Sequence, residues 1–131
     1  MVETKLVDII YLEDDIDWGR FLEPELKTSN LTGLWVEYLE KLETKLDENY
    51  RANIYVVDGN FPIQQNGCVS KNAPLAIDLI RNYVENPVIL LYSADSSMEN
   101  IAKEKNVLYL RKSAMGLWKM MEYVQERYLT K

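Results

Sequence analysis

Four short apolar runs, each followed at once by polar residues, place the strongest constraint on how this chain can fold. The runs are rich in β-branched and aromatic residues and have the length of buried strands. They are Leu6–Leu12, Asn53–Val57, Val88–Tyr92 and Val107–Arg111. Segments with a helical period separate them, and this alternation predicts a doubly wound α/β domain with a parallel sheet.

The polar residues that follow these runs form a chemically consistent set. In chain order they are Glu13-Asp14-Asp15, Asp58-Gly59-Asn60-Phe61-Pro62, Ser93-Ala94 and Lys112. The carboxyl ends of parallel strands meet at one edge of the sheet, so we expect these side chains to lie around one spot. Clustered carboxylates need a cation, and their hard oxygen ligands suit Mg²⁺ or Mn²⁺. A lysine and a hydroxyl facing that cation would suit a phosphoryl group.

The helical segments are less evenly marked. Asp15 or Asp17 can cap a first helix that reaches about Leu26, and the interior Pro24 predicts a kink or a restart. Leu42, Leu46 and Tyr50 share one face of a second helix that we expect to end before Asn53. The others predicted are a third helix around residues 76–84, a short polar helix Met98–Lys105 and a final amphipathic helix with Leu117, Met121, Val124 and Tyr128 on one face.

Residues 31–39 satisfy two periods at once. Leu34, Val36 and Tyr38 alternate as in a strand, whereas the leucines and aromatic residues from Leu31 to Leu46 also fit one long helix. We predict a strand near residues 34–38, because two successive helices would leave a βαβ crossover unexplained.

Composition excludes several classes of protein. The chain has 131 residues, 47% of them hydrophobic, which predicts one domain over residues 1–131. No apolar stretch approaches the ~20 residues that span a bilayer. The formal net charge of −6, without a basic stripe, argues against direct nucleic-acid binding. The single cysteine, Cys68, predicts a reducing cytoplasmic location, and the absence of histidine excludes Ser-His-Asp catalysis and a phosphohistidine in this chain.

The polar residues that follow the strands, taken in chain order, match the pattern of the receiver domain of two-component response regulators. The resemblance covers essentially the whole chain. Glu13 and Asp14 match the acidic pair after the first strand, and Asp58, followed by Pro62, matches the phosphoacceptor. Ser93 with the small residue after it matches the hydroxyl position, and Lys112 matches the lysine after the fifth strand. The family's switch aromatic, three residues before that lysine, matches Tyr109.

The resemblance implies a flavodoxin-like five-stranded parallel sheet with strand order 2-1-3-4-5 and helices on both faces. It implies that Asp58 takes a phosphoryl group from a phosphohistidine on a histidine kinase or phosphotransfer protein. Mg²⁺ or Mn²⁺ would be bound by Asp14 directly, Glu13 through water, Asp58, and the carbonyl of Asn60. Ser93 and Lys112 would contact phosphoryl oxygens, and Tyr109 would follow Ser93 in the switch.

We therefore expect a stand-alone receiver, a monomer or weak homodimer, whose output is binding to a downstream protein. It would catalyse only its own phosphorylation and dephosphorylation. The alternative is a receiver-like interaction scaffold that is not phosphorylated. A Mg²⁺-dependent phosphatase with an aspartate nucleophile is disfavoured, because Asn60 stands where a second aspartate would act as acid and base.

Three departures from the family pattern stand out. Ser113 follows Lys112 where the family usually has proline, Gln64–Ala73 reads as an insertion, and the spacing between Ser93 and Lys112 predicts a short fourth helix. The changed lysine turn and the longer loop are the best support for the scaffold. The tryptophans Trp18, Trp35 and Trp118 are interpreted as packing residues.

Overall fold

The structure, a computed structural model, describes residues 3–112 and 116–129. Its centre is a five-stranded sheet with the order β2-β1-β3-β4-β5, in which every neighbouring pair is parallel. The strands are β1 Lys5–Leu12, β2 Gly33–Val36, β3 Tyr50–Val57, β4 Ile89–Ser93 and β5 Leu108–Arg111. The flavodoxin-like fold class and its strand order are thereby confirmed.

Five α-helices connect the strands or follow them in the described part of the chain. They are α1 Ile16–Thr28, α2 Leu39–Asp47, α3 Ala73–Tyr83, α4 Met98–Lys105 and α5 Leu117–Val124, the last running into a π-helical turn at Gln125–Leu129. The fourth helix has eight residues, so the prediction of a short one is confirmed. Ser113 lies outside the described residues.

Helix α1 begins where the sequence predicts. The carboxylate of Asp15 accepts a hydrogen bond from the amide of Asp17 at 2.9 Å and so caps the helix. The helix then continues through Pro24 to Thr28 without restarting. Proline removes one backbone hydrogen bond from α1, but the burial of Leu22 and Leu26 holds the helix against the sheet on both sides of that point.

The ambiguous segment divides into a strand and a helix. Residues 33–36 pair with β1, Leu34 beside Ile10 and Trp35 beside Tyr11, and α2 begins only at Leu39. The predicted strand at residues 34–38 was therefore right in place, but it began one residue late and ended two residues too far along the chain. Pairing with β1 decides the conformation. If residues 33–36 were helical, the backbone N–H and C=O groups along that edge of β1 would have no partner strand.

The prediction that Tyr50 shares the helical face of α2 was wrong. Asn49 has a left-handed backbone conformation (φ 72°), which ends the helical turn and reverses the chain. Tyr50 then begins β3 in register with Lys5, three residues earlier than the predicted start at Asn53.

The core lies in two layers, one on each face of the sheet. Alternation along β1 directs Ile9 and Tyr11 towards α1 and α5, and Ile10 and Leu12 towards α2, α3 and α4. The carboxyl ends of the strands therefore emerge from a fully packed sheet, which fixes the residues that follow them.

A long connection, residues 58–72, leads from β3 to α3. It is held by an isolated bridge between Phe61 and Ser70, and by the side-chain amide of Asn72, which donates to the carbonyl oxygen of Phe61 at 2.7 Å. Cys68 is exposed in this loop. No helix in the described ranges is long and apolar enough to cross a membrane.

Candidate functional site

Three carboxylates meet at the carboxyl edge of the sheet. One oxygen of each of Glu13, Asp14 and Asp58 lies within 4.8 Å of the other two. Glu13 and Asp14 follow β1, and Asp58 follows the adjacent β3. The backbone amide of Asp58 donates to the carbonyl oxygen of Leu12 at 2.9 Å. The sheet register therefore brings together carboxylates that are more than forty residues apart in the sequence.

Lys112 pairs with two of these three carboxylates. Its Nζ atom forms an ion pair with Oε2 of Glu13 and a second one with Oδ1 of Asp58, at 3.3 Å. The lysine side chain is only 8% exposed. One ammonium thus bridges the acidic loop after β1 and the aspartate after β3, although it comes from the end of β5.

Besides its ion pair with the lysine, Glu13 makes four hydrogen bonds, two through its carboxylate and two through its backbone. Its Oε2 accepts from the hydroxyl of Tyr11 at 3.3 Å, and its Oε1 accepts from the amide of Asp15 at 3.1 Å. Its carbonyl oxygen accepts from Nε1 of Trp35 at 2.7 Å, while its own amide donates to the carbonyl of Val36 at 3.0 Å. The β2 edge therefore fixes the backbone of the acidic loop.

The carboxylates carry more negative charge than one lysine neutralises. Burial, with the charge of Asp58 added, raises the pKa of Glu13 to about 7 despite the opposing effect of Lys112. Burial also raises the pKa of Asp58, and burial together with the Asp58 charge raises the pKa of Asp14. A hard divalent cation relieves this excess and takes oxygen ligands, so the residues present fit Mg²⁺ or Mn²⁺.

Ser93 is buried beside the residue that follows Asp58. A Cβ atom added to Gly59 would lie 2.7 Å from Oγ of Ser93 and 2.5 Å from Cγ of Met98. The same Oγ accepts from the amide of Asp95 at 3.1 Å. Glycine at position 59 is therefore what allows the β3 and β4 ends to approach each other this closely.

Gly59→Ala is expected to destabilise the protein by about 1–3 kcal/mol, because the added methyl group has no space between Ser93 and Met98. Gly116→Ala is the control for the added methyl group, since nothing lies within 4 Å of its added Cβ atom. Because Gly116 caps α5, this variant should itself lose stability, by less than about 1 kcal/mol. Chemical denaturation of the two variants checks this. Equal stability of both would mean that the packing at Gly59 gives way without strain.

A hydrogen-bonded group flanks the site on the side of α4. Asn60 donates through Nδ2 to Oδ2 of Asp95 at 3.3 Å, and Oδ1 of Asp95 accepts from the amide and the hydroxyl of Ser97. These hydrogen bonds, those from Ser97 first, lower the pKa of Asp95 to about 2. Lys71, from the long loop, reaches the same acid at 3.7 Å. The loop and the site are thus in contact.

Tyr109 lies apart from the carboxylates. It packs against the core layer beneath α3 and α4, and its hydroxyl is buried without a hydrogen-bond partner among the described residues. The switching role remains a prediction.

The comparison with solved structures identifies the architecture. The non-phosphorylated receiver domain of HemR from Leptospira biflexa matches with a TM-score of 0.67, covering 98% of this chain and 96% of its own, at 17% identity. The chemotaxis protein CheY4 of Vibrio cholerae matches with a TM-score of 0.71, covering 95% and 98%, at 11% identity. The chain has the receiver-domain fold.

A third receiver, the signal receiver domain of an HD domain-containing protein from Pseudomonas fluorescens, gives a TM-score of 0.71 at 14% identity and covers 97% of this chain and 95% of that one. No protein-family model matches the sequence, and neither does any curated protein. The receiver fold is therefore established by architecture, and the chemistry must be argued from the site itself.

The receiver fold brings the predicted site residues together to different degrees. Glu13, Asp14, Asp58 and Lys112 form one cluster, and Ser93 lies beside Gly59 next to it. The side chain of Asn60 turns to Asp95.

Two of the three tryptophans that were interpreted as packing residues also contact the site. Trp35 donates a hydrogen bond to the carbonyl oxygen of Glu13, and the ring of Trp18 lies next to the ammonium of Lys112. Trp118 is 59% exposed, so its interpretation as a packing residue was wrong. The sequence did offer one signal that Trp18 lies near the site, because it stands on the first turn of α1, shortly after the acidic loop.

Proposed function

We propose that the chain is a phosphoacceptor receiver of a two-component phosphorelay and that Asp58 carries the phosphoryl group. One observation carries the proposal: the ammonium of Lys112 bridges Asp58 and Glu13 in a cluster of three carboxylates at the strand ends. An isolated strand-end aspartate has none of these partners. Burying several like charges at one point costs stability, so the cluster favours a role in phosphoryl transfer over a purely structural one.

In the proposed reaction, an Oδ atom of Asp58 attacks the phosphorus of the donor. The new O–P bond forms as the bond between phosphorus and the leaving group breaks, and the leaving group keeps the electron pair. Lys112 moves its ion pair from Asp58 to a phosphoryl oxygen, while Glu13 retains its own contact with the lysine. The hydroxyl of Ser93 donates to a second phosphoryl oxygen.

When bound, Mg²⁺ or Mn²⁺ would supply the positive charge that lets a carboxylate approach a phosphate. Asp14 and Asp58 would hold it directly, Glu13 through water, and Asn60 through its carbonyl oxygen. The donor would be a phosphohistidine of a histidine kinase or phosphotransfer protein. Binding of a downstream protein would be the output, and no other catalytic activity is proposed.

The test uses two small donors, acetyl phosphate and phosphoramidate, on the purified chain with Mg²⁺ or with EDTA. We expect an increase in intact mass equal to one phosphoryl group with Mg²⁺, and little or none with EDTA. If neither donor modifies the protein at saturating Mg²⁺, the proposal fails and the non-phosphorylated scaffold takes its place.

Asn60 and Asp95 are expected to shorten the lifetime of the phosphorylated state. They lie two residues after Asp58 and Ser93 and are hydrogen-bonded to each other, which suits them to orient a water molecule towards phosphorus. We expect Asn60→Ala and Asp95→Ala to slow dephosphorylation several-fold, with Asn82→Ala on the exposed surface of α3 as control. The measurement is the decay of the phosphorylated mass after the donor is removed. Loss over many hours in the parent, unchanged in both variants, would contradict this.

A further inference from the structure

The ammonium of Lys112 contacts two aromatic rings in addition to its two carboxylates. Its Nζ atom lies 4.9 Å from the ring centroid of Trp18 and 5.5 Å from that of Tyr92. The two rings meet edge to face, with centroids 5.7 Å apart and planes at 80°. The charge therefore has four neighbours, two carboxylates and two aromatic rings.

Different elements supply the parts of this enclosure. Trp18 comes from α1, Tyr92 from β4 next to Ser93, and Lys112 from the end of β5. Tyr92 is fully buried in the core layer on this face, and Trp18 is partly buried against the same layer. The edge-to-face contact with the buried Tyr92 ring therefore gives the Trp18 ring a fixed neighbour in the core.

The two kinds of contact behave differently when the lysine changes partners. Ion pairs of an ammonium with carboxylate oxygens have definite N···O distances and are lost when the partner changes. Attraction to a ring face requires the charge to stay over the ring within about 6 Å of its centroid, but it requires no particular N–H direction. Rings that exclude water also strengthen the remaining electrostatic contacts.

We propose that Trp18 is a positioning residue for Lys112: its ring, supported by Tyr92, keeps the ammonium at the site while the lysine exchanges Asp58 for a phosphoryl oxygen. The inference rests on the proposed function for its kinetic consequence. Its structural part, the coupling between Trp18 and Lys112, holds independently of any phosphorylation.

The first experiment measures this coupling in the metal-free protein, without a phosphodonor. Urea denaturation of the parent, Trp18→Leu, Lys112→Met and the double variant forms a double-mutant cycle. We expect a coupling equivalent to roughly a three- to thirtyfold change in the unfolding equilibrium constant, the range of cation–π contacts between exposed and desolvated sites. Additive effects of the two substitutions would overturn the proposal.

A second readout does not require the double variant to fold. The Nζ atom of Lys112 lies over two rings, so the NMR signal of the adjacent ε-methylene protons should be shifted upfield in the parent. The shift should fall in Trp18→Leu, be largely retained in Trp18→Phe and be unchanged in Trp118→Leu, which makes the same substitution at an exposed tryptophan of α5. An unchanged shift in Trp18→Leu would also overturn the proposal.

The kinetic consequence is tested with acetyl phosphate and Mg²⁺. Trp18→Leu should lower the rate of phosphorylation roughly three- to thirtyfold, Trp18→Phe less, and Trp118→Leu not at all. In the Lys112→Met background, Trp18→Leu should change the residual rate less than twofold, because the lysine through which the ring acts is gone.

The two proposals fail in different ways. If the parent accepts no phosphate, the proposed function fails, and the coupling and the NMR shift still decide whether Trp18 positions Lys112. If the parent is phosphorylated and the rate of Trp18→Leu equals that of Trp118→Leu, the positioning role fails while the function stands.

Discussion

Asp58→Asn is expected to abolish phosphorylation by acetyl phosphate and phosphoramidate while leaving the fold intact. An amide oxygen is a far weaker nucleophile than a carboxylate, and asparagine has nearly the same size as aspartate. The loss should be complete within the limit of intact-mass detection. The fold should survive because the substitution removes one charge from an overcrowded acidic cluster and keeps the shape of the side chain.

Asp15→Asn is the matched control for this substitution. Asp15 adjoins the acidic pair, but it is exposed and its carboxylate caps α1, a role in which asparagine is as effective. Its rate of phosphorylation should equal that of the parent. Full modification of Asp58→Asn, or an equal loss in both variants, would mean that the acceptor is another residue.

The second large effect concerns stability in the absence of a metal. The pKa of Glu13 is about 7 in the folded protein against 4.5 as its ordinary value, and the pKa values of Asp14 and Asp58 are raised as well. Across this window the folded state binds protons that the unfolded chain has released. In EDTA, the free energy of unfolding should therefore fall as the pH rises from about 4.5 to about 7, by up to about 3 kcal/mol from Glu13.

Asp95 does not obscure this slope. Its pKa is lowered to about 2, so its stabilising contribution is lost only as the pH falls through the range from 3.8 to 2. That window lies below the one set by the raised carboxylates. Urea denaturation at several pH values between 5 and 7.5 in EDTA measures the slope directly. A flat or rising profile would contradict the burial of excess negative charge at this site.

Asp14→Asn should raise the stability of the metal-free protein. Asp14 is only partly buried, so after solvent screening we expect a gain of about 1 kcal/mol, or roughly 3–5 °C in Tm for a domain of this size. Millimolar Mg²⁺ should stabilise the parent more than the variant, because the variant lacks one ligand. A lower Tm of Asp14→Asn in EDTA, together with equal Mg²⁺ shifts in both proteins, would show that the acids do not share a site.

The sheet and the position of the site could be predicted from the sequence because both depend on local patterns. Four strands are marked by short apolar runs, and a polar residue ends each run. Once the strands are parallel, their carboxyl ends lie at one edge of the sheet, and the adjacency of β1 and β3 then brings Asp58 to Glu13 and Asp14. The strand order came from the resemblance to receivers, not from the residues.

The segment from Leu31 to Tyr50 could not be divided by periodicity, because its apolar residues fit both periods. Pairing of Trp35 with Tyr11, across the β1–β2 register, decides the strand. The left-handed Asn49 decides where the chain enters β3. Both are tertiary or backbone effects that a hydrophobic pattern does not record.

The contact of the two aromatic rings with Lys112 was only weakly indicated by the sequence, through the position of Trp18 close after the acidic loop. Tryptophan and tyrosine are common core residues, so Trp18 and Tyr92 are typical of packing until the fold places Lys112 beside them. Both residues are far from Lys112 in the sequence, so no local pattern predicts their contact with it.

The most direct test of the central claim is to identify the modified atom. The chain is treated with acetyl phosphate and Mg²⁺, then with sodium borohydride, which reduces an acyl phosphate to an alcohol and releases phosphate. We predict that peptide mass spectrometry finds homoserine at position 58 and at no other aspartate, and only in samples that received the donor. Homoserine at another position, or phosphate retained on a hydroxyl residue such as Ser93, would contradict the assignment of Asp58 as the phosphoacceptor.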